Sequence, residues 1–306
     1  MLANFIPGPL VRWFARPYVA GGSMEAGLHV AHDRCSRFGA LTTLDLLGEE
    51  VTEPFEVLRN VAAYEAMLDA LGSDPRFSDV ATRPSVSLKP SAFTTGDPED
   101  AREHIEALAV RARERQVALT IDMEDRDWTD LTLDWSTALF GRGFDVGTVL
   151  QTRLHRTEAD LARIPAGMRL RLVIGIYPEP AEVALTDKPA MKERMVEYAG
   201  RLLEAGARVE FATHDEVYLE RFLREVAPKA PERCEIQMLL GVPRRPFAKR
   251  LLAGEFGVEV PFRLYVPFAL SWKDATAYLR RRMRESPSMG WLVLRNLIRA
   301  ERAVKA

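Results

Sequence analysis

The feature that most constrains this chain is an alternation: a short apolar run followed by a longer amphipathic stretch, repeated eight times. The apolar runs occupy 41–47, 86–88, 117–123, 146–151, 170–176, 208–213, 235–240 and 262–266. Several are near-continuous rather than alternating, the pattern of parallel strands covered by helices on one side and closed around a core on the other. Helical stretches lie between them. In 98–115 the apolar Ile105, Leu108 and Ala109 fall at helical spacing, and 158–163, 192–205, 216–226 and 244–253 repeat the theme. Gly143, Gly206 and Gly257 mark changes of element. Eight such units predict an α/β fold, a (β/α)8 barrel. A doubly wound open sheet is the alternative, but no strand is followed by G-x-G-x-x-G; Gly141, Gly143 and Gly147 precede a strand instead.

The 306 residues suit one barrel of this kind. Residues 1–38 fall outside the rhythm and are expected to form an N-terminal helical arm; 39–306 form the barrel domain, closing with a helix over 291–304. Hydrophobic residues at 47% allow a full core, and a net charge of −2 gives no reason to expect nucleic acid as a partner. Cys35 and Cys234 are far apart and are expected to be buried reduced thiols, which fits a cytoplasmic setting. The opening 18 residues carry three prolines and two arginines and do not read as a signal peptide, and no uncharged run is long enough to cross a bilayer.

In such barrels chemistry gathers where the strands end. In chain order those ends offer Asp45 and Glu49; Lys89; Asp122, Glu124 and Asp125; Gln151; Arg171 and Tyr177; His214 and Asp215; Gln237 and Gly241; and Tyr265. Any one of them alone is most simply a solvated loop residue. Convergence from nearly every strand carries more weight. A metal site is not indicated: His29 and His32 are near each other in sequence and His155 and His214 lie near the mouth, but no H-E-x-x-H or cysteine pair occurs. A G-x-S-x-G nucleophile turn is also missing, and Lys89 as a Schiff-base lysine is a minor alternative.

Eight strings in order, "LDLLGE" from Leu44, "SLKPS" from Ser87, "IDMED" from Ile121, "VLQT" from Val149, "RLVIGIY" from Arg171, "FATHD" from Phe211, "YVPF" from Tyr265 and "YLRRRMRE" from Tyr278, together resemble the proline dehydrogenase family. The resemblance covers about residues 40 to 290 and implies a distorted form of the barrel with FAD lying across the strand mouths. It implies oxidation of L-proline to pyrroline-5-carboxylate by hydride transfer, the first step of proline catabolism, with a quinone as electron acceptor. Asp122 and Arg171 would carry the chemistry, Arg171 beside the reactive ring nitrogen of the flavin. Met123, Gln151, Arg171, Ile174, Gly175, Ile176, Thr213 and His214 would hold the cofactor. Lys89, Tyr265, Tyr278, Arg281 and Arg282 would bind the substrate, with Glu285 orienting Arg281. Asp45 and Glu49 would form a polar rim or gate.

The family usually has lysine and alanine where this chain has Ile174 and Ile176, often a large polar residue at Pro178, glycine at Ala269 and an aromatic at Arg153. These departures leave two alternatives open, a relative acting on another cyclic amino acid and a flavin-deficient barrel with a binding or regulatory role. A basic amphipathic segment over 291–306 adds the prospect of peripheral contact with the inner face of the membrane.

Overall fold

The computed structural model describes residues 17–49, 51–242 and 245–276. Eight parallel strands close into a barrel in chain order. They are β1 (Leu41–Leu46), β2 (Ser85–Leu88), β3 (Leu119–Ile121), β4 (Val146–Gln151), β5 (Arg169–Val173), β6 (Arg208–Ala212), β7 (Cys234–Leu239) and β8 (Phe262–Phe268). The seam between β1 and β8 is fully registered, from Leu41↔Arg263 to Leu46↔Phe268. Around the barrel lie α1 (Met24–Phe38), α2 (Pro54–Ser73), α3 (Pro98–Glu114), α4 (Thr129–Gly141), α5 (Thr157–Asp160), α6 (Lys188–Glu204), α7 (Glu216–Arg221) and α8 (Arg245–Leu252).

Local chemistry sets the helix starts. Ser23, Asp97, Asp187 and Asp215 each accept a backbone N–H from the first turn of α1, α3, α6 and α7. Pro54, Pro98 and Pro189 stand in the first turns of α2, α3 and α6, where a missing N–H costs nothing. The expected helix over 216–226 is split: α7 ends at Arg221 and a π turn follows over Phe222–Val226.

The strands differ from the sequence expectation in one important respect. Their apolar character belongs mainly to the outer face, with Val149, Val173 and Leu239 as inward exceptions near the strand ends. Leu44, Val86, Leu170, Leu172, Val209, Phe211, Ile236 and Val266 pack outward into two helix-covered clusters, each fully buried large side chain contributing about 1.5–3 kcal/mol. The inner face is polar. Thr43, Asp45, Ser85, Ser87, Thr120, Asp122, Arg171, Glu210 and Gln237 are all buried. Register lays the charged residues Arg171, Glu210 and Glu235 side by side, Arg171↔Glu210 and Glu210↔Glu235, and sets Arg263 against Gln237. Strands this short place only two or three side chains inward, too few for alternation to stand out in the sequence.

Of the expected N-terminal arm, the described part is α1, which packs its buried Gly27, Leu28 and Ala31 inward. Cys234 is buried as expected, but Cys35 is only half-buried; both are free. The expected C-terminal helix over 291–304 lies outside the described residues.

Candidate active site

At the C-terminal ends of the strands lies a cavity of about 290 Å³, at the lower end of the usual range for small-molecule pockets, ~300–1,000 Å³. Asp45, Lys89, Asp122, Arg171 and Tyr265 supply its polar floor, and Met123, Val149, Val173, Met238 and Leu239 its apolar walls. Lys89 follows β2 directly and precedes Pro90, which favours extended backbone at the residue before it. Lys89 accordingly has φ −111° and ψ 128°, so the inward alternation of Ser85 and Ser87 continues to its side chain. Asp122 extends β3 in the same way, its N–H donating to the Leu88 carbonyl at 2.8 Å.

The floor is one hydrogen-bonded network. Lys89 Nζ donates to Asp45 Oδ1 at 2.7 Å, to Asp122 Oδ2 at 3.2 Å and to the Tyr265 hydroxyl at 3.1 Å. The Tyr265 hydroxyl donates onward to Asp122 Oδ2 at 2.7 Å. Asp122 Oδ1 accepts from Arg171 Nη1 at 2.6 Å and from Ser87 Oγ at 3.1 Å. Arg171 also donates from Nη2 to Ser87 Oγ at 3.1 Å and from Nε to Gln237 Oε1 at 2.7 Å. An ammonium has three donors, so every N–H of Lys89 is engaged inside the network. A substrate carboxylate would have to displace one of them. Arg171 has five donors and engages three among the described residues, which leaves two for a ligand.

The network separates its carboxylates electrically. Burial alone would raise Asp122, but Lys89, Arg171 and the Tyr265 hydroxyl outweigh it and hold this carboxyl below its ordinary value. Burial pushes Asp45 up to about 6 despite the pull of Lys89, with the negative charges of Asp122 and Glu49 adding to the rise. Asp122 is therefore a fixed anion and orienting group, while Asp45 changes protonation closer to neutrality. Burial also opposes the Lys89 ammonium, yet Asp45, Tyr265 and Asp122 keep its pKa well above the usual range. Such a lysine is a poor Schiff-base nucleophile.

Beside this floor, β4 and the loop after β5 make a second arrangement. Gln151 is buried, its Nε2 donating to the Glu124 carbonyl at 2.7 Å. Its Oε1 has no hydrogen-bond partner among the described residues. Gly175 lies against it with φ +102°, a backbone conformation essentially restricted to glycine, and a Cβ there would collide with Gln151 Oε1 and the Arg153 stem. Arg153 Nη1 donates to the Tyr177 carbonyl and so ties down the loop that carries Gly175. Gln151 and Gly175 are not among the residues that line the cavity; its apolar walls and the two remaining donors of Arg171 are what fit the flat polar-edged ring of a flavin.

The other expected cofactor residues are spread around this cavity. Met123, Thr213, His214 and Ile176 line it, with Ile176 38% exposed at the rim. Ile174 packs against the larger apolar cluster and is not among the residues that line the cavity. Glu49 acts electrically on Asp45 and Lys89 from nearby. Tyr278, Arg281, Arg282 and Glu285 lie outside the described residues. Ser87, Glu210 and Glu235 belong to the site or its support and had no role in the sequence reading, and Glu124 was named there only as a strand-end residue. The signal for the two interior glutamates was present: a polar side chain two residues from another inside an otherwise apolar run, as in "RVEFA" and "CEIQML".

Comparison with known proteins points to one family. The sequence profile of the family described as proline dehydrogenase matches residues 30–177. The proline dehydrogenase of Deinococcus radiodurans is 30% identical over 294 residues, covering 93% of this chain and 90% of that protein. Proline dehydrogenase 1 of Bacillus subtilis is 29% identical over 303 residues, covering 97% and 95%. In fold the chain is similar to proline utilization A from Bdellovibrio bacteriovorus inactivated by N-propargylglycine, with a TM-score of 0.75 and 22% identity over 90% of this chain. It spans about one third, 33%, of the length of that protein.

Proposed function

The chain belongs to the proline dehydrogenase family, and from that premise we propose that it oxidises L-proline to pyrroline-5-carboxylate with FAD as its cofactor. One observation carries the reading: Lys89, Asp122, Arg171 and Tyr265, from four different strands, meet over a single cavity in which Arg171 keeps two donors for a ligand. The flavin supplies a hydride acceptor when bound. Gln151, Gly175, Met123, Ile176, Thr213 and His214 would hold it, and Arg171 would offer its two remaining N–H groups to the polar part of the ring. The positive charge of Arg171 would favour negative charge developing there.

The substrate amine must be neutral for its lone pair to assist hydride departure. Asp122 cannot easily take that proton, because Lys89 and Arg171 stabilise its charged form. Asp45, raised to about 6 and accepting from Lys89 Nζ at 2.7 Å, is the network carboxylate better suited to accept it. Tyr265 walls the substrate space and orients Asp122. The roles given to Tyr278, Arg281 and Arg282 as the substrate carboxylate clamp rest on the family resemblance. So do the quinone acceptor and a peripheral membrane contact; among the described residues no helix is long and apolar enough to cross a membrane.

Purified protein should be yellow, and anaerobic L-proline should bleach its flavin absorbance. Colourless protein that cannot be reconstituted with FAD would overturn the reading. Ile176 at the rim supports a second reading in which a different cyclic amino acid is preferred. Flavin reduction rates across a panel of ring sizes and substituents decide between them.

A further inference from the structure

The amide of Gln237 sits where two nearly isosteric orientations compete, since its oxygen and nitrogen differ little in shape but oppositely in hydrogen bonding. Two carboxylates, Glu210 buried and Glu235 partly so, remove the choice. Gln237 Nε2 donates to Glu210 Oε2 at 2.8 Å and to Glu235 Oε1 at 2.7 Å, so both of its hydrogens are engaged by anions. Its Oε1 is then forced toward Arg171 Nε, which donates to it at 2.7 Å. A flipped amide would set donor against donor there and leave both carboxylates short of a partner. Glu210 also faces Arg171 directly, 3.9 Å from Nε, while its other oxygen accepts from Arg169 Nη1 at 3.1 Å. Three arginines, Arg169, Arg171 and Arg263, outweigh burial and hold Glu210 ionised.

We propose that Glu210 is a positioning residue for the oxidation: through Gln237 it fixes the plane of the Arg171 guanidinium, and its own charge sets how strongly Arg171 attracts negative charge on the cofactor. The inference rests on the proposed placement of Arg171 beside the flavin. Two substitutions separate the two effects. Glu210→Gln keeps a group able to bond Gln237 but removes the charge. Glu210→Asp keeps the charge but withdraws it by one methylene from Gln237.

The test measures the two-electron midpoint potential of the FAD-loaded protein by anaerobic dye titration, together with kcat and KM for L-proline. In Glu210→Gln the less neutralised arginine should favour flavin reduction about tenfold, a potential ~30 mV more positive. In Glu210→Asp kcat should fall about tenfold or more, with KM and potential little changed. Wild-type protein that binds no FAD, or does not oxidise proline, defeats the reading on which the inference rests. An active wild type with an unmoved potential in folded, FAD-loaded Glu210→Gln, or full kcat in Glu210→Asp, defeats the inference alone. Should neither variant fold, Gln237→Leu takes their place, swapping the amide for an apolar side chain of similar size. There kcat should fall at least tenfold with KM unchanged, and wild-type kcat would overturn the proposal.

Discussion

The two ends of the barrel carry similar groups and put them to different use. Beneath the strands, at their N-terminal ends, lies a cavity of about 370 Å³, larger than the 290 Å³ cavity above. It too is lined by arginines and carboxylates, among them Arg169, Arg263, Glu210 and Glu235. Below, Arg169 is closed: it donates from Nε to Asp145, from Nη1 to Thr120 and Glu210, and from Nη2 to the carbonyls of Leu119 and Asp145, so its five donors are all engaged. Arg263 donates from Nε to Glu235 at 2.7 Å and from Nη1 to the Thr42 carbonyl at 2.8 Å and the Ser85 hydroxyl at 3.1 Å, and like Arg171 it engages three donors among the described residues. Above, the two donors that Arg171 keeps stand beside the apolar walls of Met123, Val149, Val173, Met238 and Leu239. Neither volume nor a spare donor distinguishes a site here. A spare donor beside apolar walls does.

The sharpest way to break this contrast is to truncate an arginine at each end. Arg171→Ala should lower kcat for proline by about 10²–10³-fold, the usual cost of losing a preorganised donor at developing charge. Steady-state kinetics on FAD-loaded protein reads it, and near-wild-type turnover would remove the upper end's claim to the chemistry. Arg263→Met should instead cost ~3 kcal/mol of stability by stranding Glu235, while kcat falls no more than a few-fold. Denaturant melts beside kinetics separate the two, and a kinetic loss rivalling that of Arg171→Ala would mean the ends do not divide the work.

Smaller effects sharpen the upper end. Gly175→Ala must strain a φ of +102° and crowd Gln151, at a cost of about 1–3 kcal/mol. FAD should be retained roughly tenfold more weakly, as fluorescence of released flavin would show. Glu124 accepts from Ser91 N at 2.8 Å, and burial raises its pKa to about 7, partly offset by those Ser91 bonds. A raised carboxyl favours the fold most when protonated. Its contribution is full below its ordinary value of 4.5 and is lost as pH rises through about 7. Glu124→Gln should therefore leave stability nearly unchanged at pH 5 and raise it by ~1–2 kcal/mol at pH 8. Equal effects at both pH values would refute the assignment.

How much of this was legible in the sequence follows from the same physics. The strand rhythm was readable because outward residues such as Leu44, Leu170 and Phe211 must meet helices. The mouth residues Lys89, Asp122, Arg171 and Tyr265 were readable because each ends or sits near the end of an apolar run. Helix α4 was harder: its buried face combines Thr129, Thr132 and Ser136 with Leu133 and Leu139, which blurs the apolar period. The support given to Arg171 by Gln237 and Glu210 was hidden because it joins β5 to β7 and β6 across the interior. Pairing of the three consecutive strands brings those positions together. Ile174 was assigned to the cofactor by position within its motif; it packs against the larger apolar cluster and is not among the residues that line the cavity.

The polar interior has a consequence for the order in which the protein assembles. Lys89 meets Tyr265 across 176 residues of chain, and Arg171 meets Ser87 across 84. These bonds join strands that are not paired in the sheet and meet only across the interior of the barrel. The apolar outer layers join elements nearer in sequence and are free to condense earlier. The charged interior is thus a late lock: it adds little to the rate of folding and much to the slowness of unfolding, so that damage inside the barrel is felt mainly as a shortened native lifetime.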